Sequence, residues 1–120
     1  MPDASENPEE LTRRIALQGN LGLRDVKQTY DLLSGAVSAS KVVELDVREV
    51  SGIDISIVQL IAAARRSIQQ HGGALTLVSK PNSVFTAILI KAGLLRADGA
   101  VRTADEEFWA GKLPAGGIAS

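Results

Sequence analysis

Two polar residues stand with one residue between them where one apolar stretch hands over to another. They are Asp54 and Ser56, within V-S-G-I-D-I-S-I-V-Q-L at residues 50–60. A serine hydroxyl at the start of a helix has two uses. It can cap the helix by accepting from the free N–H groups there; Ser56 and Gln59 fit the S-x-x-Q capping box. It can also accept a phosphate, which adds about −1.5 to −2 charges at pH 7. The N–H donors and partial positive charge of a helix N-terminus would hold that phosphate without unfolding the domain. The two roles are compatible where the helix end is exposed, and the residues alone leave both open.

Other candidate groups read as structural. Asp46, Glu49 and Asp54 are acids near a strand end. A divalent cation needs several oxygens converging on one point, so these are read as solvated loop acids and not as a metal site. His71 is the only histidine and has no evident nucleophile partner, and a histidine in the last turn suits the negative end of a helix. Gly72-Gly73 precedes a strand-like run and not a helix, unlike a phosphate-binding loop. Ser51-Gly52 reads as a turn. Arg13-Arg14 and Arg65-Arg66 read as solvated pairs, the second able to meet an acidic partner. With no nucleophile–base pair, the expectation is a non-enzymatic protein with no cofactor and no metal.

The elements that must position this junction follow from periodicity. Leu11 to Gln18 is strand-like, Gly19-Asn20 signals a turn, and a short extended piece follows at Leu21 to Leu23. Asp25 opens a helix whose stripe is Val26, Tyr30, Leu33 and Val37. Gly35 costs it about 1 kcal/mol against alanine and leaves its end open. Lys41 to Val47 (K-V-V-E-L-D-V) is β-branched and apolar on both faces at its start, as in a central strand. A helix from Ser56 to Gln70 buries Ile57, Leu60, Ile61, Ala64 and Ile68, and H-G-G ends it. Ala74 to Ser79 is extended. Pro81-Asn82-Ser83 starts a helix with Val84, Phe85, Ile88, Leu89 and Ala92 on its apolar face, and Gly93 stops it. A last short strand is expected near Val101, then a helical turn that docks Phe108 and Trp109. Strands alternating with helices imply a parallel or mixed sheet with right-handed crossovers.

Composition excludes several classes. A chain of 120 residues is one domain, 45% apolar, with net charge −1. That balance does not suit nucleic acid, whose phosphates need a basic patch. The absence of cysteine removes disulfides and thiol chemistry. No apolar run approaches the roughly 18 residues of a membrane span. The opening M-P-D-A-S-E-N-P-E-E is acidic and polar, unlike a signal peptide, and a cytoplasmic protein is expected. Residues 1–10 are expected as a flexible arm, 11–103 as the domain and 104–120 as a partly flexible tail.

Between residues 41 and 95 the order is a β-branched strand carrying Asp46, the junction I-D-I-S-I, a helix, H-G-G-A-L-T-L-V-S, and a proline-led helix ending K-A-G-L-L. This order resembles a STAS domain, the fold of bacterial anti-sigma factor antagonists, over about residues 11–102. Asp54 and Ser56 stand at that family's aspartate and phosphorylatable serine or threonine. Ile55 replaces its middle hydroxyl residue and Ile57 its glycine. The resemblance implies a mixed sheet of four to five strands with helices mainly on one face, and no catalysis. It implies a protein partner, a regulatory kinase or anti-sigma factor, whose complex breaks on phosphorylation of Ser56. Other members serve sulfate transporters or sit on the ATPase of a lipid-transporting ABC system. A constitutive subunit of a transport ATPase is therefore the second reading, and a small nucleotide- or lipid-binding module the third. The expected partner surface is Asp54, Ile55, Ser56, Ile57, Gln59 and Ser83. No membrane insertion is expected, and a monomer or weak dimer is, since an edge strand near the N-terminus can pair with another copy.

Overall fold

The computed structural model describes residues 12–111. The expected N-terminal arm and the end of the tail (residues 112–120) lie outside the described residues. The elements are β1 (Thr12–Leu21), a 3-10 turn (Leu23–Asp25), α1 (Val26–Ala39), β2 (Val42–Ile53), α2 (Ile55–Gln70), β3 (Ala74–Leu77), α3 (Ser83–Lys91) and α4 (Ala104–Ala110). Among the described residues the sheet has three strands, ordered β1-β2-β3 and all parallel. The fold is α/β, as expected, but this sheet is parallel and not mixed, and four to five strands are not seen in it. The segment expected to pair near Val101 meets its hydrogen-bond needs locally. Gly99 N donates to Arg96 O, Ala100 N to Asp98 Oδ1, and Arg102 N to Glu106 Oε1.

The register explains the core. Ile15 pairs with Leu45, Leu45 with Leu77, and Val43 with Leu75, so these apolar side chains share one face and are buried. The other face stays polar, with Arg14 bonded to Glu44 at 3.2 Å. This one-sided burial is what helices packed mainly on one face require. α1 packs on α2, α2 on β3, α3 on β2, and α4 on β3. The docking of the tail is seen directly: Phe108 and Trp109 are buried, their rings edge-to-face at 4.8 Å.

Four expectations need correction. Gly19-Asn20 is not a turn; β1 runs through it with shifts in register, and Gly19 takes φ +81, which only glycine adopts cheaply. Ser51-Gly52 is not a turn either. β2 continues to Ile53 because the bent end of β1 keeps pairing with it, Leu21 to Ile53. The buried face of α1 is Thr29, Leu33 and Ala36, and Tyr30 is 55% exposed, because packing against α2 rotates the stripe. On α3, Phe85 and Leu89 are buried, whereas Val84 and Ala92 face solvent.

Candidate protein-docking junction

The C-terminal end of β2 gathers the starts of two helices. Asp54 N donates to Leu21 O at 2.9 Å, tying the start of α2 to the end of β1. Asn82 does the same for α3. Its Nδ2 donates to Val50 O at 2.7 Å and Arg48 O at 3.3 Å, while its Oδ1 accepts from Phe85 N at 2.9 Å as the N-cap. One side chain therefore both caps α3 and fastens it to β2.

The N-cap of α2 is Asp54, not Ser56. Asp54 has extended backbone, and its Oδ2 accepts from Ser56 N at 2.9 Å. Ser56 lies inside the first turn, and its hydroxyl donates to the same Oδ2 at 2.6 Å. The expected Ser56–Gln59 capping box fails because Ser56 already has helical position; Gln59 is exposed on the next turn. These two bonds from Ser56, the side-chain one first, hold the Asp54 carboxyl below its ordinary value. The negative charge suits the helix N-terminus.

The expected surface residues divide by burial. Ile55 is 43% exposed, Gln59 and Ser83 are exposed, and Asp54 and Ser56 are half-buried. Ile57 is fully buried in the core and presents nothing to a partner. Its position in the first turn turns it toward the sheet, as for Val58 and Ile61. Two apolar residues that the sequence reading did not assign to this surface stand on it. Leu23, in the turn after β1, is 71% exposed, and Val84, beside Ser83, is 43% exposed. Their signal was present: apolar residues at the first turns of helices, next to the caps.

The remaining acids are engaged elsewhere. Asp46 takes both the Arg48 guanidinium, at 2.7 Å and 3.0 Å, and its backbone N–H, and the Arg48 side-chain bond chiefly depresses its pKa. Among the described residues no three His, Cys, Asp or Glu side chains converge to hold a metal ion. His71 caps the end of α2, its Nδ1 2.8 Å from Ser67 O. Among the described residues no helix is long and apolar enough to cross a membrane.

Comparison with curated proteins finds no match. Among solved structures, the chain is similar to the anti-sigma factor antagonist SpoIIAA in its unphosphorylated form, at 22% identity and TM-score 0.56, covering 68% of this chain and 76% of that one. It is similar to the Bacillus cell fate determinant SpoIIAA in its phosphorylated form, at 23% identity and TM-score 0.58, covering 82% and 87%. The STAS domain of a SulP transporter from Vibrio cholerae matches at 20% identity and TM-score 0.50, covering 87% and 82%. At these identities the likeness is one of fold. The profile of the family described as "Mlab, STAS domain" matches residues 6–102, most of the chain, and the chain belongs to the STAS domain family.

Proposed function

We propose that this protein is a non-enzymatic binding module, cytoplasmic, whose partner docks on the surface formed by Asp54, Ile55, Ser56, Gln59 and Ser83. The partner is a regulatory kinase or anti-sigma factor, and phosphorylation of Ser56 releases it. The observation that carries this reading is the bond from the Ser56 hydroxyl to the Asp54 carboxylate at 2.6 Å, at the start of a helix and beside exposed Ile55. A phosphate on Ser56 would place a second anion against that carboxylate. Like charges at this range repel, so Asp54 leaves the cap and the phosphate oxygens take the helix N–H groups. The fold survives and the docking surface changes. One of the similar structures is the phosphorylated form of the Bacillus cell fate determinant SpoIIAA.

A second reading is constitutive docking on a transport ATPase. It is favoured by Ile55 and Val84, both 43% exposed, an apolar contact that needs no charge switch. The experiment is a pull-down from native lysate with tagged wild type, Ser56→Ala and Ser56→Asp. A kinase or anti-sigma factor held by wild type and Ser56→Ala but not by Ser56→Asp supports the switch. Equal capture of one partner by all three sinks the switch, and a transport ATPase as that partner supports the second reading.

A further inference from the structure

None of the junction residues lines a half-open cleft of about 790 Å³ at the second edge of β3. Among the described residues β3 pairs only with β2, so its other edge forms one wall. Ile90, Leu95 and Val101 supply the accessible apolar surface of the lining, over the buried Leu75, Leu77 and Phe108. Small-molecule sites have roughly 300–1,000 Å³, apolar walls and a few placed polar groups. One polar feature is present here. The cations Arg65, Lys80 and Arg96 outnumber the one acid in the lining, Glu107. Arg65 is taken by Asp105 and lies over the Phe108 ring, and Arg96 is taken by Glu106. Lys80 is exposed and has no ion pair among the described residues.

An apolar cleft with one uncommitted cation at its rim selects a ligand with an apolar body and one anionic end. We propose that this cleft binds a medium-chain monocarboxylic acid, its chain against Ile90, Leu95 and Val101 and its carboxylate at Lys80. This inference does not rest on the reading of the junction.

Trp109 is the only tryptophan and packs on Phe108, so its fluorescence reports on the cavity. The test titrates the full chain with dodecanoate below its micelle concentration, with dodecylammonium as the charge control. Saturable binding of dodecanoate is expected, about tenfold weaker for dodecylammonium and about tenfold weaker for dodecanoate on Lys80→Glu. Ala100→Phe, which fills the cleft, abolishes it. Should that variant fail to fold, Lys80→Glu, an exposed substitution, decides alone. Absence of saturation, or equal affinity for the two chains or for wild type and Lys80→Glu, overturns the proposal.

Discussion

Ser56 gives both its hydroxyl and its backbone N–H to one oxygen of Asp54, at 2.6 Å and 2.9 Å. The cap of α2 is thus the aspartate, and the serine is a tenant of it. Ser56→Ala keeps the backbone bond and is expected to melt within about 0.5 kcal/mol of wild type. Asp54→Ala removes the cap and is expected to melt clearly lower. A thermal melt of both variants checks this, and a larger loss for Ser56→Ala than for Asp54→Ala would make the serine the cap after all.

The same bonds set a pH dependence. The folded Asp54 titrates below its ordinary value of 3.8, so the unfolded chain binds the proton first as pH falls. The stabilisation is complete above the ordinary value and disappears as pH falls through the folded one. Asp54→Asn keeps the acceptor oxygen but carries no charge. Its melting temperature is expected to lie below wild type near neutral pH, with the gap closing in acid. Asp46 and Glu106, also depressed, titrate alike in both proteins and cancel. A gap that stays constant with pH would show that Asp54 is not depressed.

Asn82 does two jobs, so its removal should cost more than an ordinary cap. Asn82→Ala is expected to lose about 2 kcal/mol in denaturant unfolding, the cap plus the bond that satisfies Val50 O. Asn82→Asp keeps the acceptor and loses the donor, and should fall between. A loss no larger for Ala than for Asp would mean the cap contributes nothing.

Neighbouring isoleucines should separate folding from binding. Ile57→Ala opens a cavity in the core and is expected to cost about 2–5 kcal/mol of stability. Ile55→Ala should barely change the melt and should weaken capture of the partner. Leu23→Glu and Val84→Glu, at exposed positions, are expected to act as Ile55→Ala does. Normal capture by all three surface variants would move the docking site elsewhere.

Much of the scaffold was legible because its signals are local. Asn82 before an apolar run marks a helix start, and H-G-G marks a helix end. Gly73 must be glycine, since a side chain there would strike the Lys41 carbonyl where β3 begins. The alternation of strand and helix in the chain carries the α/β class. The apolar period of α2 also points the right way, at Ile57, Ile61 and Ile68.

What the chain alone could not decide depends on contacts between distant segments. Whether Gly19-Asn20 and Ser51-Gly52 turn or extend is settled by β1 and β2 pairing on as far as Leu21 and Ile53. Which face of α1 is buried is settled by α2, which leaves Tyr30 outside. Asp54 and Ser56 are both good caps by type, so sequence placed the pair but not the roles. The tertiary bond from Asp54 N to Leu21 O holds Asp54 in extended backbone and starts the helix one residue later, at Ile55. With Asp54 as the cap, Ser56 falls inside the first turn and Ile55 stands exposed between them.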